Sequence, residues 1–364
     1  MRGPPGGSLR PVPLPDVLRQ LLTAAGPSGY ETAPVAVFAG AARAFTDDVS
    51  VDVMGSLVAR VKGTSPGAPS LAVVGHIDEI GLIVTHIDDN GFLRFIGVGG
   101  WDGQVLAGQR VELLTQSGPL PGVCGRKAIH MLREDDRKKV VELRDMHIDI
   151  GAKSGDEARE LVRIGDVAVI AGEPVQLRNE RVVSRSMDNR LGAFIALEAA
   201  RIVAEAGGAP GDVMACGVVQ EEITFGGART SAYSLQPDVA IVVDVTHETG
   251  SPGVDVNEIG KHEFGSGPII ERGSVLNPAV FEALHATAER EKIAFTVQAS
   301  ARSTGTDADA IHLSRAGVPT GGISIALRYM HSPVEMVQLG DIDACARLIA
   351  AFAQSLDSET SFAR

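Results

Sequence analysis

Leu71-Ala72-Val73-Val74-Gly75-His76-Ile77-Asp78 is an apolar run of strand length that stops at an imidazole and a carboxylate. Two further runs share this design. Val213 to Val219 stops at Gln220-Glu221-Glu222, and Val239 to Val243 stops at Asp244. Near-continuous apolar runs of this length read as strands buried on both faces, the pattern of a parallel sheet covered by helices. Helical periodicity follows between and after them. Leu191, Phe194, Ile195, Ala199 and Ile202 mark one face over Asn189 to Ala206, and a second helix is predicted over Pro278 to Lys292. A fourth apolar run, Gly322 to Leu327, leads to Arg328 and His331. The alternation predicts an α/β fold with helices on both faces of the sheet.

Around this frame the texture changes twice. Residues 1–13 are rich in Pro and Gly and read as a flexible lead. Leu14, Val17, Leu18, Leu21 and Leu22 then recur at helical spacing until Gly26-Pro27. From about Thr85 to Pro174 the segments are short and β-like (Phe92 to Val98, Arg110 to Leu114, Asp166 to Ala171), broken by Gly and by Asp89-Asn90-Gly91. The expected organisation is a main domain over 14–84 and 175–364, with a small β-rich domain, 85–174, inserted into it.

Composition narrows the function. The 364 residues carry 33 Lys+Arg against 46 Asp+Glu, a net charge of −13, without a long basic run. That balance argues against nucleic acid or an anionic membrane surface as partner. Cys124, Cys216 and Cys345 are widely separated and odd in number, which supports neither a disulfide framework nor a thiolate zinc site. The sequence shows no secretory h-region and no apolar stretch of about 18 residues. A cytoplasmic location is expected.

The chemistry lies where the strands stop. His76, Glu221, Glu222, Asp244 and His331 follow predicted strands, and Asp188 opens a predicted helix. In open α/β sheets, the crevice at the strands' carboxyl ends gathers such residues. Two imidazoles with several carboxylates and no thiolate form a nitrogen and oxygen ligand set that suits zinc or cobalt, and also manganese. Six side chains exceed what one catalytic ion uses, so two ions are expected, with one carboxylate bridging. Ions roughly 3.5 to 4 Å apart acidify a bridging water into a hydroxide nucleophile, which is the chemistry of hydrolysis. On a strand, Glu221 and Glu222 would point to opposite faces, so one could bind metal while the other moves protons. Alternation also returns Asp78 to the side of His76, where its carboxylate could accept the imidazole N–H and fix the tautomer.

Gly75-His76-Ile77-Asp78-Glu79-Ile80-Gly81, Met187-Asp188-Asn189-Arg190, Gln220-Glu221-Glu222, Asp244-Val245-Thr246, Thr306-Asp307-Ala308 and Arg328-Tyr329-Met330-His331-Ser332-Pro333 resemble the successive signatures of the tetrahedral (TET-type) aminopeptidases. That family is also labelled glutamyl aminopeptidase or endoglucanase-like. Ser28-Gly29-Tyr30-Glu31 matches as well, and the likeness covers nearly the whole chain after the lead. The resemblance implies that His76 and Asp244 hold one metal, that Glu222 and His331 hold the other, and that Asp188 bridges them. Glu221 would be the general base and Asp78 the residue behind His76. It further implies a zinc-exopeptidase-like sheet with an inserted β-barrel-like dimerisation domain, short peptides as substrates, and dimers assembled into a tetrahedral dodecamer. The chain departs from the family where many relatives have two acids at Asp188-Asn189, and where Ala326-Leu327 replaces Pro-Thr.

Other readings stay open at this stage. A deacylase or amidohydrolase acting on N-blocked amino acids would use the same metals, and a non-enzymatic scaffold could keep the ligands by inheritance. A glycosidase needs two free carboxyls flanking a sugar bond, whereas the best carboxylates here are committed to metals. Asp307 fits either a cap on a helix over Ala308 to Arg315 or a substrate role. The remaining histidines carry no ligand pattern, His247 being the nearest competitor. The Gly-rich stretches lack phosphate-loop spacing.

Overall fold

The computed structural model describes residues 13–363. The lead expected over 1–13 lies, apart from Pro13, outside the described residues. Eight strands form the main sheet in the order Val49–Val51, Leu57–Val61, Val213–Val218, Leu71–His76, Val239–His247, Thr320–Leu327, Ile269–Gly273, Thr296–Ser300. The four apolar runs are its four central strands, and they pair in parallel. Antiparallel neighbours flank them on both sides.

Helices cover both faces, as the run-length argument requires. The pleat sends Val73, Ala215 and Ile241 to one face, where they join Leu191 and Ile195 of the helix Met187–Glu205 and Ile349 of the helix Leu339–Ser355. Val74, Cys216 and Val242 face the other way, onto Ala228, Ala232 and Ile311. Contact between the long helix and the sheet is made backbone to backbone. A Cβ on Gly75 would lie 2.2 Å from the Gly192 carbonyl carbon, and one on Gly192 would lie 2.4 Å from the Val243 carbonyl oxygen. These two glycines let the helix settle onto the strands, so that its first residues reach the sheet's carboxyl edge beside His76.

The inserted texture is a closed six-stranded barrel in the order Gly81–Ile87, Leu93–Val98, Met146–Asp149, Gly118–Arg126, Arg110–Thr115, Val167–Ile170. Leu82, Phe95, Leu113, Ile148 and Ala168 form its separate core. Its first strand opens at Gly81, ahead of the predicted boundary at 85, because Gly81 to Val84 pairs with Leu93–Val98 and with Val167–Ile170. Two of its strands escape sequence reading. Gly118–Arg126 carries two prolines and two further glycines, and Met146–Asp149 is only four residues long. A small sheet of Val175–Gln176, Arg181–Ser184 and Glu335–Gln338 completes the architecture, pairing Ser184 with Glu335 just ahead of Asp188.

Candidate metal centre

His76 ends its strand fully buried, with its two ring nitrogens turned to different groups. Nε2 lies 3.1 Å from Asp188 Oδ1 and 3.7 Å from Glu221 Oε2. Nδ1 lies 3.4 Å from Asp78 Oδ1 and 3.3 Å from the Asp78 carbonyl. Across the cleft, His331 Nε2 lies 3.3 Å from both Asp188 Oδ2 and Glu222 Oε1. Asp188 therefore presents one oxygen to each histidine. Ligand atoms of His76, Asp188 and Glu222, and those of His76, Glu221 and Asp244, fall into two groups, each with its members within 4.8 Å of one another.

The local structure that delivers these side chains differs from the sequence reading at Asp244 and at the paired glutamates. Asp244 is not at a strand end, since Val239–His247 continues to pair with Thr320–Leu327 after its pairing with Leu71–His76 has stopped at Val242. The register puts Asp244 level with His76, the last residue of the neighbouring strand. Glu221 and Glu222 are not on the strand Val213–Val218. They form the first turn of the short helix Glu221–Thr224, after Gln220 in the left-handed region (φ 61°). His331 stands in a turn beyond Thr320–Leu327, also with positive φ (57°). Asp188 leaves helical geometry within the first turn of its helix (φ −78°, ψ 108°), and the Asp188–Asn189 peptide is cis.

Further buried side chains fix the backbone beneath these groups. Asp78 Oδ1 and Oδ2 accept the N–H groups of Glu221 and Glu222 at 3.0 and 3.2 Å, and Oδ2 also accepts the Ser28 hydroxyl at 2.5 Å. Glu31 Oε1 accepts the N–H of Gln220 at 3.1 Å and that of Gly29 at 2.7 Å. The segment Ser28 to Glu31, a bare motif in the sequence, thus braces the turn that carries the paired glutamates. Asn189 donates through Nδ2 to the Val243 carbonyl and accepts from the Gly192 N–H, both at 2.8 Å. A carboxylate there could not make the first of these bonds. Glu335 accepts the N–H groups of Asp188 and His331 at 3.1 and 2.8 Å. Sequence reasoning noted Glu31 and Asn189 only as motif positions, without their roles, and missed Glu335. An acid inside the strand-like Val334-Glu335-Met336-Val337 was the available signal for the last.

Charge crowding defines what the site can hold. Burial would lower the His76 imidazole, but Glu221, Asp188 and Asp78 hold it well above its ordinary value. Hydrogen bonds to Asp188 and Glu222 raise His331 to about 11. Burial raises Asp188, yet its contacts with His331 and His76 hold it well below the usual carboxylate range. Burial also pushes Glu221 up to about 9 against the pull of His76, with Asp307, Glu222 and Asp188 adding to the rise, and it raises Asp244 well above its ordinary value. Four converging carboxylates with only two imidazoles form a donor set that divalent cations would neutralise. Glu222 Oε1 is buried, and His331 Nε2 at 3.3 Å is its one polar neighbour among the described contacts, which leaves acceptor capacity for such an ion. The residues fit the group that the sequence analysis expects.

Of its two readings, Asp307 does not fulfil that of a helix cap. It makes no side-chain cap bond, and the helix behind it is only Ala308–Ile311. Its side chain is 1% exposed with both oxygens unpartnered, in the field of His76, Asp244 and Asp78. His247 is exposed at its strand's end and joins neither ligand group. The barrel domain supplies the opposite wall, where a Cβ on Gly100 would meet His331 Nδ1 at 3.3 Å and one on Gly99 would meet the Glu222 Cβ at 3.4 Å.

With this geometry in place, comparison with known proteins is decisive. A family model described as M42 glutamyl aminopeptidase matches residues 55–348. The chain belongs to that family. This M42 member is a peptide hydrolase of the aminopeptidase kind, and its α/β sheet with inserted barrel is the fold of its structural neighbours. It is 33% identical over 346 residues to the lysyl aminopeptidase of Pyrococcus furiosus, covering 94% of this chain and 97% of the relative. The TET aminopeptidase of a marine-sediment Thaumarchaeota archaeon superposes with a TM-score of 0.89 at 36% identity, over 94% and 96% of the two chains. Pyrococcus horikoshii TET1 peptidase, described as assembling into a tetrahedron or a large octahedral shell, superposes with a TM-score of 0.82 at 30% identity, over 94% and 99%.

Proposed function

We propose that this M42 peptidase removes N-terminal residues from short peptides using two divalent ions. His76 and Asp244 would hold one ion, Glu222 and His331 the other, and Asp188 would be shared. The observation that carries the reading is the split carboxylate of Asp188, with Oδ1 at 3.1 Å from His76 Nε2 and Oδ2 at 3.3 Å from His331 Nε2. Zinc or cobalt suits this ligand set best, and manganese fits the same oxygens. When bound, such ions supply the Lewis acidity that activates water and polarises a scissile carbonyl.

The chain's own residues do the rest. Glu221 stands outside the five ligands at 3.7 Å from His76 Nε2, where it takes the proton from the attacking water and returns it to the departing amine. Asp78 holds the Glu221 and Glu222 backbone in place and faces His76 Nδ1, which leaves Nε2 free for the ion. Gly99 and Gly100 bring the barrel against Glu222 and His331, which narrows the cleft over one side of the site.

The barrel is proposed as the dimerisation domain, and the dimers as the units of a tetrahedral dodecamer. Ile96, Met131 and Val140 on the barrel domain are 58, 69 and 67% exposed, apolar side chains that a second copy could cover. The assembly named for Pyrococcus horikoshii TET1 supports the same reading. Among the described residues no helix is long and apolar enough to cross a membrane, and all three cysteines are free and buried. These features agree with a proposed place in the cytoplasm.

Hydrolysis of unblocked Leu, Glu, Lys and Ala amides by chelated protein, repeated after adding zinc or cobalt, tests the proposal. Activity that needs both metal and a free N-terminus is expected. Activity on acetylated substrates alone would make the chain a deacylase.

A further inference from the structure

We infer that Glu335 is a positioning residue that sets the spacing of Asp188 and His331, and with it the second metal position. The inference rests on the two-ion reading above. Glu335 is 3% exposed, and each of its oxygens accepts a different backbone N–H: Oε1 that of His331 at 2.8 Å, Oε2 that of Asp188 at 3.1 Å. Those two residues belong to segments far apart in the sequence. One opens the helix Met187–Glu205 and the other follows the strand Thr320–Leu327. Their side chains then meet, His331 Nε2 lying 3.3 Å from Asp188 Oδ2. A single rigid carboxylate therefore ties together the backbones of two ligands whose side chains converge on one ion.

Register explains why Glu335 can reach both. The strand Glu335–Gln338 pairs antiparallel with Arg181–Ser184, placing Glu335 opposite Ser184, four positions before Asp188. On its other side, Met336 and Arg328 exchange two backbone hydrogen bonds of 3.0 Å, which closes the turn holding His331. Burying a carboxylate is costly, and an apolar side chain in its place would leave the N–H groups of Asp188 and His331 without acceptors. What only the carboxylate offers is two acceptors at fixed separation. His331 also holds a left-handed backbone, and its N–H bond to Glu335 fixes that conformation.

Glu335→Gln tests this. The amide has one acceptor oxygen and presents an NH2 group to the other backbone N–H, so one tie is lost. The probe is zinc, titrated calorimetrically into chelated full-length protein, with the visible spectrum of the cobalt-loaded protein as a second readout. Wild type should bind two ions per chain. The variant should bind the Glu222 and His331 ion about 10- to 100-fold more weakly, and the His76 and Asp244 ion, which meets the displaced residues only through the shared Asp188, clearly less so, with the cobalt spectrum of one site lost at low metal. Equal affinities at both sites in variant and wild type would overturn the inference. Equal weakening at both sites would also overturn it, because that is the signature of a general structural role. If wild type bound a single ion, the two-ion reading would fall first and this inference with it. Should Glu335→Gln fail to fold, Glu335→Asp carries the same test, with selective weakening of the same ion expected to a smaller extent.

Discussion

Asp78 Oδ1 accepts the backbone N–H of Glu221 at 3.0 Å, across 143 residues of chain. The same carboxylate faces His76 Nδ1 at 3.4 Å, so one buried side chain orients a proposed metal ligand and the proposed base together. Asp78→Asn would leave one acceptor where the carboxylate serves the Glu221 and Glu222 N–H groups and the Ser28 hydroxyl. Steady-state kinetics on an unblocked amide should show kcat reduced about 10- to 100-fold with KM little changed. A change confined to KM would assign Asp78 to substrate binding instead.

Glu221→Gln keeps the size of the side chain and removes its basicity. The variant should retain both ions by elemental analysis and lose roughly 10²- to 10⁴-fold in kcat. Full activity in this variant would remove Glu221 from the reaction.

Gly75→Ala probes the contact that delivers Asp188 to His76. The new methyl group would fall 2.2 Å from the Gly192 carbonyl carbon and 2.3 Å from the Ala193 nitrogen, both backbone atoms. Nothing there can rotate away, so the strand and helix must separate. A loss of about 3 kcal/mol or more in unfolding free energy is expected, at the upper end of overpacking. Denaturant unfolding within 1 kcal/mol of wild type would show that this approach is soft.

Glu31 gives a pH dependence with a definite sign. Burial, with Asp78 adding to it, raises its carboxyl from 4.5 to about 7 against hydrogen bonds from Gly29 and Gln220. The folded chain therefore keeps a proton that the unfolded chain releases. The stability tied to that proton is complete below about pH 4.5 and is lost as pH rises through 7. In urea unfolding of metal-free protein from pH 5 to 8, wild type should lose up to roughly 3 kcal/mol relative to Glu31→Gln, whose amide is neutral throughout. Parallel profiles for the two proteins would refute the assignment.

Much of the fold was legible because it rests on local patterns. Four apolar runs mark the central strands, since only a strand covered on both faces sustains such a run. The helices over 189–206 and 278–292 show their buried stripe directly, and the structure places them at Met187–Glu205 and Pro278–Glu291. The barrel was less legible. Gly118–Arg126 is held by its neighbours' hydrogen bonds despite a turn-like composition.

Residue type and order in the sequence by themselves determined the kind of chemistry, a nitrogen and oxygen ligand set at the edge of a parallel sheet. Only the tertiary structure decided how those groups are held. Asp244 lies inside its strand because Thr320–Leu327 extends the pairing past the end of Leu71–His76, and a strand's length is set by its partners as well as by its own side chains. Glu221 and Glu222 share one site because a left-handed Gln220 turns the chain out of the sheet. Asp78, Glu31 and Glu335 work through backbone N–H groups, which every residue but proline carries. No side-chain pattern can announce those partners; they exist only once distant segments are packed together.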